Sequence, residues 1–184
     1  MSRQYWSESL AWTTADGTAV NTTTTETIVF PNVTIPANFM QDGRALRLTG
    51  YGRWGATGTP TFTWAIRWGG VSGTVLASSG VATVSAQTAA QWQLDAILQT
   101  RSNGATGTIF TQGIVTMGTA TAPTFGTVTN YGVPIFMGSA GIATPAAVTV
   151  DLTADTALSF TIDFSASSAS NAVTGHIYLI EALN

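Results

Sequence analysis

The hydrophobic pattern along this chain repeats every two residues. In the run Thr61–Trp68, Phe62, Trp64, Ile66 and Trp68 fall on one side, and Thr61, Thr63, Ala65 and Arg67 on the other. Successive side chains of an extended strand point to opposite faces, so this run is a strand with one face buried. Gln91–Arg101 alternates in the same way. Trp92, Leu94, Ala96 and Leu98 face inward and Gln91, Gln93, Asp95, Gln99 and Arg101 outward, with Ile97 an apolar residue on the polar side. Val148, Val150 and Leu152 alternate with Thr149 and Asp151, and Leu158, Phe160, Ile162 and Phe164 with Ser159, Thr161 and Asp163. Further strands rich in β-branched and aromatic residues are predicted over 24–30, 44–53, 74–79, 107–117 and 173–182. In the last of these the alternation assigns Ile177 and Leu179 inward and His176, Tyr178 and Ile180 outward.

Turn chemistry separates the strands: Gln41-Asp42-Gly43, Gly55-Ala56-Thr57-Gly58, Gly69-Gly70, Ser102-Asn103-Gly104 and Thr153-Ala154-Asp155. Short strands at this spacing predict an all-β fold, an antiparallel β-sandwich of jelly-roll type. The predicted core draws on Leu46, Leu48, Phe62, Trp64, Ile66, Trp92, Leu94, Leu98, Phe110, Val150, Leu158, Phe160, Ile162, Ile177 and Leu179. Helix is expected only as a single turn at Pro36–Met40, with Pro at the first position.

Two segments break the rhythm. Residues 1–23 carry Tyr5, Trp6, Leu10 and Trp12 among polar residues and read as an N-terminal arm docking on a neighbouring subunit or a capsid. The alternative is an extra strand on the protein's own sandwich. Residues 24–184 form the single sandwich domain, interrupted by a long loop at 118–146 that holds Pro123, Pro134 and Pro145 and five glycines.

Composition changes the picture more than motifs do. Only 8% of residues are charged, against about 25% in an average soluble domain. All six basic residues are arginines, and Thr, Ala, Gly and Ser make up half the chain. So few cations cannot neutralise many phosphates, so nucleic acid is not an expected partner. Without cysteine there is no disulfide framework and no thiolate metal site. Met1–Leu10 has no apolar core of a secretory signal, and no window of 18 apolar residues predicts a membrane-spanning helix. Exposed strand edges are usually guarded by lysine, which this chain lacks, so its surface is expected to be covered by copies of itself or by a larger assembly.

Candidate chemistry is thin. His176 is the only histidine, and no Gly-x-Ser-x-Gly elbow accompanies it, so it reads as a surface or subunit-contact residue. Asp151, Asp155 and Asp163 read as turn and solvated-face residues, with no calcium-loop spacing among them. No Lys and no helix follow the glycines of Gly50-Tyr51-Gly52 and Gly69-Gly70, which read as strand bends and hairpin turns rather than phosphate cradles. Trp64 and Trp92 belong to the core. Trp54 and Trp68, at strand ends, are candidate glycan contacts. Arg44, Arg47, Arg53 and Arg67 fall on two neighbouring strands, and the last three are candidate interface contacts, since the guanidinium fork pairs carboxylates bidentately.

The runs IPANFMQDGRALRLTGYGRWG, FTWAIRWGGVSGTVLASSG, QWQLDAILQTRSNGATGTIFTQG and VDLTADTALSFTIDFSASSASNAVTGHIYLIEAL resemble virion structural proteins of tailed bacteriophages, over about residues 26–183. The likeness lies in texture and strand-turn order. It implies a jelly-roll protein that decorates the head or forms fibres, a homo-oligomer, commonly a trimer, located in the virion. It also implies binding to the major capsid protein or another virion protein, with no cofactor; the thin candidate chemistry and the lack of a long apolar window add the expectations of no catalytic residues and no membrane partner. The leading expectation is a capsid decoration, or cement, protein that contacts the capsid through the N-terminal segment, with Tyr5, Trp6, Leu10 and Trp12, or through the long loop 118–146. A fibre or spike domain recognising host-surface glycan is the alternative, and a hydrolase on a β-sandwich a third reading.

Overall fold

Strands with one apolar face are stable only when that face is covered by another layer. In the computed structural model, which describes residues 7–119, 132–139 and 145–183, two antiparallel sheets cover one another. The strands are β1 (Ser7–Trp12), β2 (Thr27–Ile28), β3 (Val33–Ile35), β4 (Ala45–Ala56), β5 (Thr61–Trp68), β6 (Thr74–Ser78), β7 (Ala82–Thr83), β8 (Gln87–Ser102), β9 (Gly107–Met117), β10 (Val133–Met137), β11 (Ala147–Val150), β12 (Thr156–Phe164) and β13 (Ala172–Leu183). The larger sheet runs β1-β13-β4-β8-β9-β10, with β11 also paired to β9. The smaller runs β2-β12-β5-β6, with β3 on β12 and β7 on β5. The chain is an antiparallel β-sandwich, as its period of two predicts. A bridge between Ser78 and Gly138 ties the two sheets together at one side.

The core between the sheets is aromatic. Trp64 stacks on Phe160 at 5.3 Å between ring centroids, Trp92 lies 5.1 Å from Trp64, and Phe30 stacks on Tyr178 at 4.3 Å and 3°. Glycines make room for these rings. A Cβ on Gly175 would lie 2.2 Å from the Phe30 ring, and one on Gly52 2.7 Å from the Trp92 indole nitrogen and 2.0 Å from the Thr174 carbonyl. Gly50 and Gly52 therefore sit mid-strand under bulky neighbours rather than at a bend.

Strand β13 corrects the expected alternation. Val173 and Gly175 face the core, but so do Tyr178, Ile180 and Ala182, whereas Ile177 is 58% exposed and Leu179 only half-buried. The register shifts between Gly175 and Ile177, so one extra residue, His176, reverses the parity of everything after it. Thr13 closes the gap: its hydroxyl donates to the His176 carbonyl at 3.1 Å and accepts from the Tyr178 N–H at 3.0 Å. Phe110 is likewise half-buried on the outer side of β9, where Ile109 and Val115 supply the core.

Residues 7–20 run along the free edge of β13. After β1 the chain continues through backbone bonds from Thr13 to Tyr178, Gly17 to Gly175 and Val20 to Val173. Leu10 leans on the core and Val20 is buried. Tyr5 and Trp6 lie outside the described residues. Within the segment expected as a loop, residues 133–137 form β10, and the described part of 118–146 is otherwise limited to short flanks. Pro36–Phe39 is a turn rather than a helical one: Phe39 N–H bonds the Pro36 carbonyl, with Asn38 at φ 57°. Asn tolerates that left-handed geometry, which does not propagate a helix.

Candidate interaction surface

The inner faces of both sheets are consumed by the core, so any site must lie on an outer face, at an edge or in a loop. The outer face of the larger sheet stands out. Seven large apolar side chains are exposed among the described residues, and five of them, Trp12, Tyr51, Ile97, Phe136 and Ile177, project from this face. The cross-strand register places them. One row across six strands reads Trp12, Leu179, Thr49, Asp95, Ile114, Phe136. A neighbouring row reads Ile177, Tyr51, Gln93, Thr116, and the one on the other side Glu181, Arg47, Ile97, Gln112. Trp12 and Phe136 are 64% and 63% exposed at the two ends of their row. Beside Phe136 a depression of about 700 Å³ is lined by Asp95, Gln99, Arg101, Phe110 and Gln112, among others.

Charge on this face is of both signs. Arg47, Arg53 and Asp95 are exposed, and none of them makes an ion pair among the described residues. Arg101 lies over the Phe110 ring at 5.2 Å, and Glu181 accepts from the Ser7 hydroxyl at 3.4 Å.

The other sequence-derived candidates are spent inside the molecule. Arg67 clamps Glu26 bidentately at 2.6 and 2.5 Å and donates to the Gly73 carbonyl at 2.8 Å, so it is a tie on the outer side of the smaller sheet. Burial opposes the Glu26 charge, but hydrogen bonds from Arg67 and Thr161 and the Arg67 charge outweigh it and hold the carboxyl below its ordinary range. Trp54 and Trp68 are 5% and 6% exposed, and their indole N–H groups bond the Gly118 and Asp151 carbonyls, so neither offers a ring face to a sugar. Arg44 stacks on Phe39 at 4.4 Å. His176 Nδ1 lies 2.8 Å from an Asp16 carboxylate oxygen, with the imidazole half-buried and the carboxylate exposed. Asp151 bonds the Thr153 hydroxyl and N–H, which lowers its pKa, while Asp155 reaches across to the Ala37 N–H at 2.8 Å. Among the described residues no three His, Cys, Asp or Glu side chains gather as metal ligands.

Of the candidates, Trp12, Arg47 and Arg53 share the outer face, whereas Leu10, Trp54, Trp68 and Arg67 do not. Tyr51, Phe136 and Ile177 were not among them. Tyr51 is legible from its place between Gly50 and Gly52, but Ile177 depends on the bulge and Phe136 on a strand with no alternation to announce it. What fold and surface define together is a sandwich protein with one half-apolar outer sheet face that carries charges of both signs. Compared with known proteins, the chain matches no family model, no curated sequence and no solved structure.

Proposed function

We propose that this protein is a non-enzymatic structural component of a tailed-bacteriophage virion, a decoration protein that joins copies of itself and binds the major capsid protein to stabilise the head shell. The outer face of the larger sheet carries the reading. An exposed face bearing Trp12, Tyr51, Ile97, Phe136 and Ile177 suits an association surface. The strand order supports the jelly-roll reading. Strands β1, β13, β4 and β8 lie side by side opposite β2/β3, β12, β5 and β6, the order of two interlocked Greek keys, with β9–β11 inserted between the sixth and seventh strands of that plan. The phage-like texture of residues 26–183 supports the virion setting, and six cations on the whole chain argue for a protein partner over nucleic acid.

Quantitative mass spectrometry of purified particles tests this. A decoration protein is expected in hundreds of copies per particle, and its absence from particles would overturn the proposal. A few to dozens of copies would favour a fibre or spike domain. That second reading has one supporting feature, the depression beside Phe136, where the Phe110 and Phe136 rings adjoin Asp95, Gln99 and Gln112. Calorimetric titration with host-surface polysaccharide showing no heat of binding would reject it.

A further inference from the structure

The occupant of the outer face can be read from the order of residues along its central row. The row Trp12, Leu179, Thr49, Asp95, Ile114, Phe136 is a chemical palindrome: aromatic, aliphatic, polar, polar, aliphatic, aromatic. We propose that this face pairs with the same face of a second copy, about a two-fold axis parallel to the strands and passing between β4 and β8. The inference rests on the reading of the protein as self-associating and names the surface and symmetry of that association.

Such an axis lays β1 over β10, β13 over β9 and β4 over β8 of the other copy. Trp12 then meets Phe136 of the other copy, Leu179 meets Ile114, and Thr49 meets Asp95, whose carboxylate can accept from the Thr hydroxyl. The flanking rows set Tyr51 opposite Gln93, Ile177 opposite Thr116, Arg47 opposite Ile97 and Glu181 opposite Gln112. Arg47 lies one same-face position from Thr49, so its long side chain reaches the Asp95 of the other copy, and the symmetry makes that pair twice. Arg47 and Asp95, without ion-pair partners among the described residues, are thereby complementary between chains. Twisted sheets packed face to face align within about 30°, which preserves this order.

The area suffices. Six strands span about 24 Å and the nine residues from Ala45 to Arg53 about 27 Å, which makes roughly 1,300 Å² buried over both copies, within the range of about 1,200–2,000 Å² for stable interfaces. An isologous contact uses one patch twice, as the palindrome requires. A three-fold ring, the state that the phage resemblance implies, joins two different patches and leaves the row unmatched.

The test uses the full chain, with association followed by sedimentation and light scattering. The wild type is expected at twice the 19.1 kDa chain mass at micromolar concentration. Phe136→Glu, at an exposed position, should move the dissociation midpoint at least tenfold to higher concentration. Adding Trp12→Lys should restore pairing. Within one chain the two positions lie at opposite sides of the sheet, about 24 Å apart, so only a second copy can bring Lys and Glu together. A monomeric or trimeric wild type, a Phe136→Glu variant that pairs unchanged, or a double variant without recovery would each overturn the proposal. If the protein is abundant on particles yet monomeric in solution, the pairing fails and the decoration role survives. If it pairs but is absent from particles, the reverse holds.

Discussion

At the scale of single residues, the informative groups are the polar ones that are partly or wholly buried. Glu26 is held by Arg67 and Thr161 on the outer side of the smaller sheet, and Glu26→Gln leaves the guanidinium without its counter-charge. The expected cost is about 1.5–3 kcal/mol, the worth of hydrogen bonds to a charged group, read as a lower melting temperature. Because the folded pKa of Glu26 is lowered, its contribution is complete above the unfolded carboxylate value of 4.5 and fades as pH falls through the lower folded value. The stability gap between wild type and Glu26→Gln should therefore be constant above pH 4.5 and shrink below it. A gap that stays flat down to pH 3 would dissociate the effect from this carboxylate. Tyr178 is the opposite case. Its ring stacks on Phe30, but its hydroxyl is buried with no partner among the described residues, and burial pushes the phenol pKa up. Tyr178→Phe keeps the ring and deletes the unpaired group, so it should leave the melting temperature unchanged or raise it by the equivalent of up to about 1 kcal/mol. A clear drop on thermal denaturation would reveal a partner for that hydroxyl.

At the scale of elements, the segment 7–20 behaves as the outer strand of the larger sheet. It covers the β13 edge, and Thr13 satisfies the two backbone groups that the His176 bulge leaves unpaired. Deleting residues 1–13 should lower the melting temperature and, by uncovering a strand edge with no lysine near it, promote aggregation detectable by light scattering. A truncated protein that melts unchanged would instead assign the segment to docking on a partner. The strands themselves were legible wherever one face is buried over several residues, from alternation in β5, β8, β11 and β12 and from β-branched and aromatic richness in β4, β9 and most of β13. β1 and β10 were not, because an edge strand is contacted on one side and its inner face is only partly covered, so no strict pattern is imposed. The second half of β13 was assigned to the wrong face because a bulge costs one residue of register and leaves no mark in composition.

At the scale of the whole molecule, the sandwich is stitched by contacts far apart in sequence. β13 lies between β1 and β4, so the first and last strands among the described residues are neighbours and the larger sheet is incomplete until β13 arrives. Truncation after Ser170 removes the strand between β1 and β4 and should abolish cooperative unfolding rather than lower its midpoint, as followed by circular dichroism. A cooperative melt in that fragment would show that the remaining strands hold the fold without β13. Folding dominated by such non-local pairings belongs in the millisecond-to-second range.

The sequence by itself determined the class of fold and its inner faces. A period of two, β-branched and aromatic residues, and glycine-bearing turns leave few alternatives to two packed antiparallel sheets, because burial of Phe62, Trp64, Trp92 and Phe160 is a large, local and periodic signal. It also put Arg47 and Arg53 on one strand, beside the core residues Leu46 and Leu48. Only the tertiary structure decided which residues share the outer face of the larger sheet. Trp12, Leu179, Thr49, Asp95, Ile114 and Phe136 come from six strands scattered over most of the chain. Their alignment depends on hydrogen-bond register and on one bulge at His176. Register is set by the sum of many cross-strand contacts, each weak and none visible in a single run of residues. It is also the tertiary structure that turned Trp54 and Trp68 inward and spent Arg67 on Glu26. The partners that consume them lie 64 residues away for Trp54, 83 for Trp68 and 41 for Arg67, beyond the reach of any local pattern.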